Sequence, residues 1–363
     1  MISAVRDWAN LVAANAGLPR VTGGIVIAVD YAPSAKATLL LCGPDGRPLL
    51  VAKLARHLAG ERALVAEHDA LTSLWSAPER AVTAELPRPL ALGRVAGRRV
   101  LLSTAVPGTP LTIRYYTPGH VRRPGLVAED FALAGGWLAR FQADTRSGTA
   151  VLGRDAFEEW IRPTLLRYRA EVGWGAWESE LAGHLSDLCA RLSGTRVPVV
   201  AVHGDYAPGN ILADSGRVCG VVDWELGRSA GLPFSDLFKF AASYGSYLDR
   251  ATPPTRGSLA GHPGWSQARE TWGFTPGWTN RTGILYAFFG SGWFPELVQR
   301  FLERHLRRLQ VPSSVVRLFL LVFLAEQVLA LEQPTYRNGY RALLRVLWDE
   351  SASGRLRPME VVG

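Results

Sequence analysis

Lysine is nearly absent from this chain. Of its 40 Lys and Arg residues only Lys36, Lys53 and Lys239 are lysines. Arginine therefore supplies the positive charge almost everywhere, and a lysine marks a place where a compact ammonium is wanted instead of a planar fork. Cysteine is scarce too. Cys42, Cys189 and Cys219 are odd in number and far apart, which argues against a disulfide framework, offers none of the short Cys/His intervals of a zinc site, and fits inert thiols in a reducing cytoplasm. Long apolar runs are missing as well: the strongest, residues 318–325, is bracketed by Arg317 and Glu326. That is well short of the roughly 20 residues a membrane-spanning helix needs, so it reads as a buried helix. Residues 3–12 place Val5, Trp8, Leu11 and Val12 on one face of an amphipathic helix, without the basic start and apolar block of a secretory leader. A cytoplasmic protein without a membrane partner is expected.

The net charge of +8 raises the question of nucleic acid. The one dense basic cluster, Arg300, Arg304, His305, Arg307 and Arg308, lies at helical spacing and is interrupted by Glu303, as on a solvated face. No RNA- or DNA-binding motif accompanies it, so a nucleic-acid partner is not expected. The chain shows no internal repeat, and its 363 residues suit two domains.

What the chain does have is a concentrated polar motif, His203-Gly204-Asp205-Tyr206-Ala207-Pro208-Gly209-Asn210, followed by Val221-Val222-Asp223-Trp224-Glu225. Before it, residues 197–202 are an apolar β-type run. Between the two motifs, Ile211-Leu212 and residues 218–222 flank Asp214-Ser215-Gly216-Arg217, a turn signal. A hairpin would thus return Asp223 beside Asn210. Phosphoryl transfer by kinases uses an Asp to accept the hydroxyl proton, an Asn five residues on to hold magnesium, and a later Asp to hold metal against the nucleotide phosphates. Asp205, Asn210 and Asp223 keep that spacing. Magnesium is usually bound by one or two carboxylates plus substrate phosphates, so Asn210 and Asp223 suffice for Mg2+. The structural alternative is a capped turn over a buried polar network.

The pattern H-G-D-x-x-x-x-N followed by D-W-E resembles the aminoglycoside phosphotransferase and choline kinase family, the small-molecule branch of the protein-kinase-like fold. Ala207 departs from it, since many members carry a second His there, at a position with no catalytic role. The resemblance implies an α+β, two-lobed fold with an antiparallel-sheet N-lobe over residues 1–105, which binds nucleotide. A mainly helical C-lobe over residues 106–363 would carry the catalytic loop, the metal site and the acceptor pocket. It also implies ATP or GTP as co-substrate and a small-molecule hydroxyl as acceptor; the oligomeric state is left open.

In the N-terminal region, Lys53 lies in the β-type run 49–54 after the turn Gly43-Pro44-Asp45-Gly46. The family places there the strand lysine that pairs with the α- and β-phosphates. A surface lysine at a strand end is the alternative. Residues 61–74 have helical spacing, and Glu67 is placed to orient Lys53, with Glu61 as rival. Residues 30–38 contain no glycine, unlike the Gly-rich loop of protein kinases. They resemble the Ser/Ala/Lys loop of 3'-type aminoglycoside kinases, which makes Ser34 the β-phosphate contact or, alternatively, part of an ordinary Pro-Ser turn. Residues 100–111 run from an apolar strand into Pro107-Gly108-Thr109-Pro110-Leu111 and resemble the family hinge. Backbone groups of Thr104 and Val106 would there meet the edge of the base.

The acceptor is the least legible part. Residues 261–295 are rich in aromatics and glycine and either line a pocket for a sugar or nucleoside face or fill the core. Trp272, Trp278 and Glu270 are the named pocket candidates, with Asp249 and Glu296 as further carboxylates. A basic protein has few carboxylates with which to build a polycation site, which favours a neutral or anionic acceptor over a polyamine. The alternative function is a pseudokinase that binds nucleotide and serves as a partner-binding module.

Overall fold

The computed structural model describes residues 1–29, 36–77, 80–251, 282–331 and 333–352, which fall into two compact units. The first comprises Met1–Pro110, His203–Asp205 and Gly209–Ser229; the second comprises Leu111–Val202, Tyr206–Pro208 and the chain from Ala230 onward.

In the first unit, helix α1 (Ile2–Asn15) precedes strands β1 (Gly23–Val29), β2 (Lys36–Cys42) and β3 (Pro48–Ala55); helix α2 (Leu58–Trp75) leads to β4 (Pro89–Val95) and β5 (Arg98–Thr104). The five strands form one antiparallel sheet ordered β1-β2-β3-β5-β4. Alternation along the strands divides its faces. Leu39, Leu41, Leu50, Ala52, Leu54, Val100 and Leu102 point to one face and are covered by Val5, Ala9 and Ala13 of α1. Leu11, expected on the buried stripe of α1, is 68% exposed instead, because the small side chains of Ala9 and Ala13 form the contact. Trp8 rests on Gly93 of β4, where a Cβ would lie 2.9 Å from its ring. On the opposite face Ala55, Leu64 and Leu101 pack together.

Strand β6 (Thr109–Pro110) pairs with β9 (Ile211–Asp214), and β9 pairs with β10 (Arg217–Val221) through the two-residue turn Ser215-Gly216. Both turn residues have positive φ, 48° and 78°, as a type I′ hairpin requires. The expected hairpin is present.

The second unit is mainly helical. It contains α3 (Leu111–Tyr116), α4 (Pro124–Asp144), the strand pair β7 (Gly148–Val151) and β8 (Arg196–Val202), and α5 (Arg154–Ala156), which passes through a π-helical turn into α6 (Arg162–Val172). Its further helices among the described residues are α7 (Ala176–Arg191), α8 (Ser235–Ala251), α9 (Thr282–Phe289), α10 (Trp293–Leu309), α11 (Val315–Ala330) and α12 (Pro334–Ala352). Aromatic rings hold its core. Phe131 meets Phe240 and Phe301 edge-on with centroids 5.0 and 5.2 Å apart, and Trp137 stacks on Phe141 and Tyr206 at 5.0 and 5.5 Å. Residues 318–325 are buried throughout α11, as expected. His305, read as part of a solvated basic face, is buried and lies between the carbonyls of Phe301 and Gly135. The apolar stripe of α10 (Phe294, Val298, Phe301, Leu302, Leu306) carries it inward. Asp130, wholly buried, binds His120 Nε2 at 2.7 Å, the Tyr244 hydroxyl at 2.9 Å and Arg114 at 2.6 Å. Among the described residues no helix is long and apolar enough to cross a membrane.

The contact of Trp8 with Gly93 is directly testable. Gly93→Ala should cost about 1–3 kcal/mol in chemical denaturation by overpacking, and combining it with Trp8→Leu should recover most of that loss.

Candidate active site

The loop that carries Asp205 is fixed by its histidine. His203 is fully buried; its Nδ1 accepts the backbone N–H of Asp205 at 3.1 Å, and its Nε2 lies 2.9 Å from the carbonyl of Val222. A carbonyl can only accept, so the ring hydrogen sits on Nε2, and the imidazole ties the backbone at Asp205 to the residue preceding Asp223. The Trp224 ring lies 4.4 Å from the imidazole, is fully buried, and donates from Nε1 to Val221 O at 2.9 Å. Gly204 has φ +80°, and a Cβ there would meet Leu226 O at 2.4 Å. Glycine is required on both counts.

Asp205 and Asn210 meet across the short 3-10 turn Pro208–Asn210. Asn210 Nδ2 donates to Asp205 O at 2.8 Å and to Asp205 Oδ2 at 3.0 Å. With its amide hydrogens so placed, Asn210 presents its carbonyl oxygen as an acceptor. The Val222 N–H donates to Asn210 O at 2.9 Å, so the hairpin sets Asp223 next to Asn210. Asp223 is not glycine, yet its φ is +71°. Such left-handed strain persists only where surrounding contacts impose it.

The Asp223 side chain is held by ionic contacts. Lys53 Nζ lies 2.5 Å from Glu67 Oε1 and 2.9 Å from Asp223 Oδ1. Alternation along β3 turns Lys53 away from the α1 face, and helical phase on α2 buries Glu67 toward it. Glu61, one turn earlier, instead pairs with Arg94 at 2.6 Å, so of the two rivals Glu67 meets the lysine. Burial opposes the charge on Lys53, but the carboxylates of Asp223 and Glu67 outweigh it and raise the lysine above its ordinary value. The ammonium of Lys53, together with that of Lys36 and against the opposing effect of burial, holds the Asp223 carboxyl well below the usual carboxylate range.

Two members of this cluster were not singled out from sequence. Lys36, the first residue of β2, hydrogen-bonds Glu225 and lies 3.5 Å from Asp223 Oδ1. Burial, then the neighbouring Asp223, pushes the Glu225 carboxyl up despite Lys36. The sequence signals were the rarity of lysine and the place of Glu225 in Asp223-Trp224-Glu225. A second feature is a row set by strand register. Ile25 pairs with Leu40, Leu40 with Val51, and Val51 with Ser103, all on the face of Lys53. Thr104 follows Ser103; its N–H donates to Arg88 O at 3.0 Å. Val106 lies against Gly220, where a Cβ would be 2.6 Å from Val106 Cγ2.

Ser34, Glu270, Trp272 and Trp278 lie outside the described residues, as does the side chain of Asp249. Of the aromatic segment 261–295, Tyr286, Phe288 and Phe294 are buried, while Phe289 and Trp293 are half-buried. Glu296 pairs with Arg300 at the surface, 3.7 Å away. Lys239 donates to Gln327 at 2.8 Å inside the second unit.

The donor set suits a hard cation that completes its shell elsewhere. The Asn210 carbonyl and the Asp223 carboxylate supply oxygen ligands, and among the described residues no group of three or more His, Cys, Asp or Glu could hold a metal by itself. The two oxygen donors fit Mg2+, which is usually bound by one or two carboxylates together with substrate phosphates.

Residues 41–271 match the phosphotransferase enzyme family. The chain belongs to that family. Two solved structures cover almost all of it. One is a thermostable mutant of the aminoglycoside phosphotransferase APH(4)-Ia in its apo form, with TM-score 0.53 and 14% identity over 94% of this chain and 98% of that one. The other is a candidate aminoglycoside phosphotransferase from Ralstonia eutropha, with TM-score 0.51 and 16% identity over 97% of this chain and 98% of that one. At these identities the likeness is one of fold, and the fold is the kinase-like α+β fold of the family, with an antiparallel sheet in the N-terminal region and a mainly helical remainder. No curated protein sequence matches the chain.

The Gly204 geometry yields a prediction for this site. Gly204→Ala should lower the melting temperature and depress turnover together, because relieving a 2.4 Å contact with Leu226 O moves the loop that bears Asp205. A variant with wild-type melting and turnover would contradict this.

Proposed function

We propose that this chain is a small-molecule kinase that moves the γ-phosphoryl group of ATP or GTP to a hydroxyl of a small acceptor. The observation that carries the reading is the assembly of Asp205, Asn210, Asp223, Lys53 and Glu67 within one compact unit, linked by hydrogen bonds and ion pairs of 2.5–3.0 Å. Membership of a phosphotransferase family supplies the reaction class.

In this reading each residue has a task set by its chemistry. Asp205 accepts the proton of the acceptor hydroxyl. Asn210 and Asp223 hold Mg2+, whose part is to neutralise phosphate charge. Lys53, held by Glu67, pairs with the α- and β-phosphates as a point charge that needs no bidentate geometry. The row Ile25, Leu40 and Val51 offers a flat apolar surface beside Lys53 for a nucleobase, and the backbone at Thr104 and Val106, just beyond Ser103, meets the base edge. Ser34 is retained as the β-phosphate contact. Glu270, Trp272 and Trp278 are retained as acceptor candidates, with a neutral or anionic acceptor favoured by the positive charge of the chain. Rate acceleration would come mainly from positioning and charge neutralisation.

Two substitutions separate the roles. Asp205→Asn should lower kcat by about 10²-fold or more while leaving nucleotide affinity near wild type; unchanged turnover would remove Asp205 from the mechanism. Lys53→Arg keeps the charge but replaces a point donor shared by two carboxylates with a planar fork, and should raise nucleotide KM and lower kcat. Normal kinetics in that variant would reduce Lys53 to a structural cation. An acceptor screen over sugars, nucleosides, antibiotics and amino alcohols, read as acceptor-dependent nucleotide consumption, tests the reaction class itself.

A further inference from the structure

Lys36 and Glu225 are the charged side chains of the cluster to which phosphoryl transfer, as derived above, gives no task. Asp223 Oδ1 carries two ammonium groups, Lys53 at 2.9 Å and Lys36 at 3.5 Å. The two lysines are held differently. Lys53 is clamped between Glu67 and Asp223, whereas Lys36 hydrogen-bonds Glu225 and only approaches Asp223. Both lysine side chains are largely buried, at 12% and 14% exposure.

The Asp223 side chain is itself 34% exposed, and the two ammonium groups supply the positive charge that faces its Oδ1. Lys53, at 2.9 Å, supplies the larger part of that positive charge while also meeting Glu67, and Lys36, at 3.5 Å, adds to it. An arginine in place of Lys36 would lock onto a carboxylate with two parallel bonds. An ammonium has no such geometry, and with Glu225 to keep it, leaving Asp223 costs it little. Two of the chain's three lysines converge on this one oxygen.

The geometry points to Lys36 as a displaceable counter-ion: held by Glu225, its ammonium also faces Asp223 Oδ1 at 3.5 Å, and it moves away from that oxygen while keeping Glu225 when metal and nucleotide bind. The inference rests on the reading of Asp223 as the metal carboxylate. It makes Lys36 a positioning residue, whose effect passes through Asp223, and it explains why a metal carboxylate in this chain has a second lysine beside it.

Lysine scarcity makes the test practical. Protein grown on lysine labelled with 13C at Cε gives three side-chain signals, assigned by single substitutions, and Lys239, bonded to Gln327 in the second unit, serves as reference. Adding Mg2+ with a non-hydrolysable ATP analogue should shift the Lys36 and Lys53 signals and leave Lys239 in place. A Lys36 signal that stays fixed while Lys53 moves would overturn the proposal. If neither moves, the reading of Asp223 fails and the proposal with it. Independently, Mn2+ binding to the nucleotide-free protein should tighten by about tenfold in Lys36→Met, since a competing charge at short range is removed, and weaken in Asp223→Asn. Unchanged or weaker Mn2+ binding in Lys36→Met contradicts the proposal; unchanged binding in Asp223→Asn contradicts the metal site beneath it. Should Lys36→Met not fold, the labelled wild-type protein still decides.

Discussion

The sharing of one ammonium by two carboxylates is the constraint on which the site depends. Lys53 reaches Glu67 at 2.5 Å and Asp223 at 2.9 Å, and the three residues come from a strand, a helix and the end of a hairpin 170 positions away in sequence. A buried ion pair is weak evidence for stability, because desolvation opposes it. Its value here is positional. It fixes the Lys53 ammonium between Glu67 and Asp223, and Asp223 adopts a left-handed backbone within it.

Around this bridge the backbone is held in place by further side chains. His203 uses both ring nitrogens to join the loop of Asp205 to the strand end of Asp223. Trp224 fills the space behind the imidazole, and Gly204 lets the chain pass Leu226. Asn210 holds Asp205 through two hydrogen bonds donated by its side-chain amide. Replacing any of these would disturb several functional atoms together, so single losses of activity there should not be read as separate contributions.

Much of this was legible in sequence because it is local. Asp205 and Asn210 lie five residues apart, the Ser215-Gly216 turn can form only one tight hairpin, and that hairpin returns Asp223 to Asn210. Lys53 stood out because arginine fills almost every other basic position. What escaped notice depends on register and burial. Lys36 meets Glu225 only because β2 pairs with β3 so that Lys36 faces Ala55 and Thr38 faces Lys53, and no spacing rule links residues 36 and 225. The row of Ile25, Leu40 and Val51 likewise exists only once three strands are in register. His305 and Leu11 depart from the periodic pattern for a related reason: helical periodicity gives a stripe, but the packing partner decides which edge of that stripe is covered.

The most direct measurement of the central claim is calorimetric titration of the protein with a non-hydrolysable ATP analogue, with and without Mg2+, in the wild type and in Glu67→Gln. The account predicts binding that requires the divalent cation and that weakens at least tenfold when the carboxylate orienting Lys53 is neutralised, with the melting temperature showing the variant still folded. Equal affinity without metal, and in the variant, would contradict it.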